Sequence, residues 1–186
     1  MKFITVLILS VFFMILQFST TSCYAETQLA VRGGFDFRGR GKASVIGLYF
    51  EDNVKPGVTL GFELYHDLYE NFSIGTGFEH QLERDEFFFS PIIYGLLRLY
   101  IGSNLIREER YYLTGKAGYN SFEENYYDTN GGSYLCLGVG IVRKAKVQLE
   151  LNYSMHHGSV TDDINGYFVN PVMDYSKFCI SFGRIF

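Results

Sequence analysis

His157-Gly158-Ser159 and Asp174 are the residues of this chain whose types and spacing suit chemistry. A serine hydroxyl becomes a nucleophile when an imidazole takes its proton and a carboxylate orients that imidazole, which is the equipment of acyl transfer. Alternate residues of a β-strand share a face, so His157 and Ser159 lie together if a strand runs through both. An antiparallel neighbour that sets Asp174 opposite His157 then completes the set. The plainer reading is a polar strand end running into a loop, and so short a motif does not overturn it without structural context. His156-His157 beside Asp162-Asp163 suggests a metal at first sight. Adjacent strand residues point to opposite faces, so the two imidazoles cannot easily share an ion, and neither a metal nor a cofactor is expected.

The elements that must position these residues are written in a period of two. In Lys146–His156 the odd positions are Val147, Leu149, Leu151, Tyr153 and Met155, while the even ones are Gln148, Glu150, Asn152, Ser154 and His156. One oily face and one polar face make a β-strand. The pattern recurs over 29–38, 57–68, 72–82, 87–101, 110–122, 133–143 and 174–186, which makes eight strands. Connections alternate between long (39–56, 123–132, 157–173, with 83–86 the brief member) and short (69–71, 102–109, 144–145). The apolar patch Val45–Phe50 inside the first long connection either extends the strand before it or packs over an end of the barrel. A ten-strand count, with a hairpin at Arg38–Lys42, would put the N-terminus on the side of the long loops and is disfavoured.

The polar faces decide between kinds of barrel. Arg32, Asp36, Glu63, Asp67, Glu79, Arg98, Lys116 and Glu150 all fall on them. A soluble ligand-binding barrel has an apolar inside and would not bury such a set. An eight-stranded barrel is only wide enough for its side chains to fill it. Enclosed charges need partners, and Arg32, Arg98 and Lys116 match Glu63, Glu79 and Glu150. The expectation is a transmembrane barrel with apolar side chains to lipid, a plugged lumen and no open pore. Cys136 and Cys179 share the inward face two strands apart, beyond disulfide reach, and are expected free.

The rest of the composition agrees. Tyr and Phe number 15 and 18, Trp is absent, and 20 Gly stand against 3 Pro, a mixture suited to strands and interfacial girdles. Residues 1–25 read as a secretory signal: Lys2, the apolar run Phe3–Phe18, then small residues with Cys23 and Ala25 before a cut at Glu26. A lipoprotein signal at Cys23 ranks second because Thr20 stands where an aliphatic residue belongs, and the run is short for a membrane helix. Removing Lys2 and no acidic residue takes the formal charge from −4 to −5. An acidic chain without a basic block has no footprint for nucleic acid.

At this point the chain resembles the superfamily of small eight-stranded outer-membrane barrels, the group of OmpX, Ail and the OmpA transmembrane domain. The motifs are R-G-G-F-D-F at 32–37, P-G-V-T-L-G-F-E-L-Y at 56–65, N-F-S-I-G-T-G-F-E at 71–79 and Y-Y-L-T-G-K-A-G-Y at 111–119, spread over the mature chain 26–186. The closing F-C-I-S-F-G-R-I-F, with terminal Phe186, resembles the signal such proteins show to the barrel-assembly machinery. The resemblance implies residence in a bacterial outer membrane, contact with its lipid and lipopolysaccharide, and long loops facing outward. His157, Ser159 and Asp174 are in turn similar to the site of outer-membrane lipid A deacylases, with two departures. Val160 stands where that family has Asn, and the acid there is Glu. The first expectation is therefore a non-enzymatic structural or surface-contact protein working through its outer loops, where Tyr126-Tyr127-Asp128 and Tyr167-Phe168-Val169 place aromatics. The alternative is a lipid A or phospholipid acyl hydrolase.

Overall fold

A computed structural model describes residues 26–45, 48–82, 89–104, 108–122, 128–143, 146–164, 167–169 and 172–186. Residues 1–25, expected to be a signal, and the pair Tyr126-Tyr127 lie outside them. The strands are β1 (Thr27–Asp36), β2 (Gly39–Val45), β3 (Leu48–Val54), β4 (Gly57–Tyr69), β5 (Phe72–Gln81), β6 (Phe89–Asn104), β7 (Glu109–Phe122), β8 (Asp128–Asn130), β9 (Gly132–Arg143), β10 (Val147–Ile164), β11 (Tyr167–Val169) and β12 (Val172–Ile185). Eight of these, β1, β4, β5, β6, β7, β9, β10 and β12, pair antiparallel each with the next. β12 pairs back onto β1, from Ala30↔Ile185 to Asp36↔Cys179, and the sheet closes. Closure satisfies the backbone along every strand and leaves the barrel wall without an edge.

Both termini sit at one end. The Asp67 amide donates to the Glu26 carbonyl (3.1 Å) and the Phe186 amide to that of Leu29 (2.8 Å). This end carries the short turns, where Glu108 and Lys146 adopt left-handed conformations (φ 51° and 59°) that tight reversals often require.

The opposite end departs from the sequence reading. The connection 39–56 is not a loop but a hairpin, β2–β3, paired from Gly39↔Val54 to Val45↔Leu48. It extends the β1–β4 pair rather than folding over the barrel mouth. The pairing of Val45 with Leu48, in place of a hairpin at Arg38–Lys42, leaves the barrel at eight strands. β10 runs to Ile164, well past His156, and pairs with β8 and β11 in what were expected to be the loops 123–132 and 157–173. Strands that leave the barrel wall keep their hydrogen bonds after the two-faced side-chain pattern has stopped.

One irregularity decides which side chains face outward at this rim. From Asp36 to Arg40 the chain takes four steps, while its partner β12 takes three, from Cys179 to Ser176. The extra residue is a β-bulge, and it exchanges the faces of everything beyond it. Arg38, which by its parity with Arg32 and Asp36 belongs to the inward face, is exposed; Gly39 and Gly41 turn inward, and Arg40 and Lys42 turn outward. A side chain at Gly39 would run into the Tyr175 ring, so only glycine fits where the bulge brings the backbone close.

Candidate functional site

The chemistry-bearing set is assembled at the rim opposite the termini. β10 and β12 pair with His157 opposite Asp174 and Ser159 opposite Val172. The His157 Nδ1 lies 2.6 Å from Asp174 Oδ1, and both side chains are exposed on the outward face. With Nδ1–H donating to the carboxylate, Nε2 is the nitrogen left to face a hydroxyl, the arrangement an acyl-transfer set requires. Ser159 follows on the same face, half-buried. No hydrogen bond joins its hydroxyl to His157 among the described residues. The β10–β12 pairing positions all three residues but does not close the last contact. His156 points the other way, into the barrel, between the rings of Tyr134 (5.0 Å) and Tyr175 (5.3 Å). No group of metal-binding residues gathers among the described residues.

The lumen holds the second constellation. Arg32 donates to Glu63 (2.7 Å), Glu79 (2.6 Å) and Glu150 (2.8 Å). Lys116 bridges Glu63 (3.0 Å) and Glu150 (2.8 Å), and Arg98 reaches Glu63 at 3.1 Å. Three cations thus face three carboxylates, all buried. Alternation in six strands (β1, β4, β5, β6, β7 and β10) brings them to one level. Removing a charge from water costs several kcal/mol, and mutual pairing with further hydrogen bonds offsets that cost. The further bonds come from tyrosines: Tyr94 donates to Glu63 (3.1 Å), Tyr112 to Glu150 (2.9 Å) and Tyr134 to Glu79 (3.2 Å). The Arg98 guanidinium lies between the rings of Tyr65 and Tyr112, 4.4 and 4.3 Å from their centres, a cation–π contact strengthened by exclusion of water. Gly77 makes room for this filling, since a side chain there would meet the Tyr94 ring at 2.5 Å. Nearer the rim, Lys177 and Thr59 both donate to Asp36 (2.6 and 2.7 Å). Asp67 closes the other end by accepting from Ser73 (2.5 Å) and Gln28 (3.2 Å). Cys136 and Cys179 are buried and free.

Outside the barrel the polarity is reversed. Val31, Leu60, Phe62, Leu97, Leu137, Leu151, Phe178 and Phe182 are all exposed. On β10 the outward apolar positions run from Val147 to Met155, eight residues on. At ~3.4 Å per residue and a tilt of ~40° they cover roughly 20 Å, close to the apolar band of a membrane barrel. An apolar exterior of that height around a charged, sealed interior suits lipid and not water. The chain is a small transmembrane β-barrel.

Comparison with known proteins agrees with the barrel fold. No protein-family model matches the chain, and no curated protein does. Among solved structures the barrel is similar to AlkL in lipid bilayers (TM-score 0.50, 12% identity, covering 90% of this chain and 93% of that one). Others are OprG of Pseudomonas aeruginosa (TM-score 0.49, 12% identity, 86% and 95%) and the Neisserial surface protein NspA (0.45, 11%, 84% and 97%). At such identities the AlkL match speaks for the fold alone.

The sequence missed Lys177 as the partner of Asp36 and the tyrosine hydroxyls that complete the network. The parity of Tyr65, Tyr94 and Tyr112 placed them inward, but parity does not say which carboxylate a hydroxyl reaches.

Proposed function

We propose that this barrel is an integral protein of a bacterial outer membrane whose function is non-enzymatic surface contact through the β2–β3 hairpin. The observation that carries this reading is the hairpin's apolar end: Leu48, Tyr49 and Phe50 are 63%, 85% and 58% exposed, beyond the rim and opposite the termini. An exposed apolar cluster on a polar end is the usual mark of an interaction surface. The barrel beneath it, filled by its charge network, acts as an anchor and not as a channel. Phe186, exposed beyond the last strand, is the residue this reading assigns to recognition by the assembly machinery. Cells displaying the protein should bind apolar surfaces, and the triple variant Leu48→Ser/Tyr49→Ser/Phe50→Ser should lose most of that binding. Partitioning of expressing cells into hexadecane measures it; equal partitioning of wild type and variant contradicts the hairpin's role.

The His157–Asp174 contact favours a second reading, an acyl hydrolase acting on lipid A or phospholipid with Ser159 as nucleophile, His157 as base and Asp174 as orienting acid. It predicts that expression removes an acyl chain from cellular lipid A and that Ser159→Ala abolishes the loss. Mass spectra of lipid A that are the same with and without the protein dispose of the lipid A form of this reading.

A further inference from the structure

The β-bulge at 37–39 has turned Arg40 and Lys42 onto the outward face, where a membrane barrel usually avoids charge. Cross-strand register sets Arg40 beside Ser176 and Lys42 beside Asp174. One strand further, Ser176 faces Met155 and Asp174 faces His157, and Met155 faces Leu135 on β9. These residues line a groove of about 580 Å3 that also takes in Ser133 and Tyr153. Its composition is graded along the barrel axis. Tyr153, Met155 and Leu135 form the part nearer the barrel's middle, while Lys42, His157 and Ser133 form the part nearer the rim. Neither Arg40 nor Lys42 has an ion-pair partner among the described residues. Asp174 stands in the same row, but its carboxylate is engaged by His157. Glu51, the register partner of Lys42 on β3, shares its outward face but lies across β2 from the groove and makes no ion pair with it among the described residues.

Two cations that make no ion pair among the described residues, above an apolar floor and at the level where the outward face changes from oily to polar, fit one kind of molecule. We propose that the groove between β9, β10, β12 and β2 seats a phosphorylated membrane lipid, with its phosphate between Arg40 and Lys42 and an acyl chain along Leu135, Tyr153 and Met155. Arginine offers a fork of donors to phosphate oxygens and lysine a point charge, both flexible enough to reach the headgroup while their stems stay in the apolar layer. The site rests on the transmembrane reading but is independent of any reaction at Ser159. Lipid held there would cover the His157–Asp174 pair, so the same groove would present substrate if Ser159 is a nucleophile.

Native mass spectrometry of the folded barrel in non-ionic detergent tests this, with dilauroyl phosphatidic acid as the probe. Wild type should retain one lipid, and Arg40→Gln/Lys42→Gln should weaken retention by about tenfold or more, the loss expected for charge-assisted hydrogen bonds to phosphate. Arg184→Gln, a cation near the opposite rim, should leave retention unchanged. Dilauroylglycerol should not be retained, and inorganic phosphate at equal concentration should not displace the lipid. Equal retention by wild type and the double variant overturns the proposal, and so does displacement by inorganic phosphate, which would show a simple anion site. Resistance of each variant to sodium dodecyl sulfate before heating reports the folded barrel separately. Loss of that resistance in wild type would count against the barrel and not merely against the groove.

Discussion

Replacing Glu150 with alanine should lower the unfolding free energy of the reconstituted barrel by about 3–5 kcal/mol, the range seen when one partner of a buried ion pair is removed. Glu150 accepts from Arg32 and Lys116 at 2.8 Å each and from Tyr112 at 2.9 Å. Its removal leaves three buried cations facing two carboxylates, in a lumen too full to let much water reach them. The cost comes from the uncompensated charge and not from the attraction lost, and that distinction can be measured. Lys116→Met combined with Glu150→Met removes one charge of each sign and should cost far less than the sum of the two single changes. Urea titration of protein in lipid vesicles, followed by the heat-dependent shift in gel mobility, gives all the values. Additive costs would mean that the network is not the coupled plug its distances describe.

Leu151→Arg, half-way along the apolar outward span Val147–Met155 of β10, should destabilise the barrel by about 2–4 kcal/mol in a bilayer, whereas Ser133→Arg near the rim should cost only about 0–1 kcal/mol. Both side chains are exposed. In water an exposed leucine accepts a charged replacement at little cost, so a soluble barrel would show no difference between the two sites. In lipid the charge at Leu151 has no route to water shorter than half the apolar band, while at Ser133 it snorkels into the headgroups. The same titration in vesicles measures the difference, and equal small costs at both positions would contradict the assignment of the outer face to lipid.

The barrel wall was legible because lipid and lumen each act on alternate residues. Glu150 between Leu149 and Leu151 states its direction without help from any neighbour, and all six network charges were found in this way. The rim was not legible, because beyond the apolar band neither face is constrained. Gly39-Arg40-Gly41-Lys42-Ala43-Ser44 has no oily alternation, yet it pairs residue by residue with β3 and, from Arg40 to Ser44, with β12. The bulge that turns Arg40 and Lys42 outward is a mismatch in count between two distant segments, and no local pattern records it. His157 opposite Asp174 could be proposed from parity because both belong to strands whose faces were already fixed. The missing contact from Ser159 depends on side-chain placement, which parity does not give.

Labelling with a membrane-impermeant maleimide is the most direct test of a barrel that spans the outer membrane with its hairpin outside. Cysteine is placed at Tyr49, on the hairpin, or at Tyr69, the last residue of β4 at the end of the termini, 85% and 71% exposed. The native Cys136 and Cys179 are buried in the folded protein. Intact cells should label Tyr49→Cys fully and Tyr69→Cys not at all, with Tyr69→Cys reacting once the outer membrane is broken. Labelling of both sites on intact cells, or of Tyr69→Cys alone, would contradict the account.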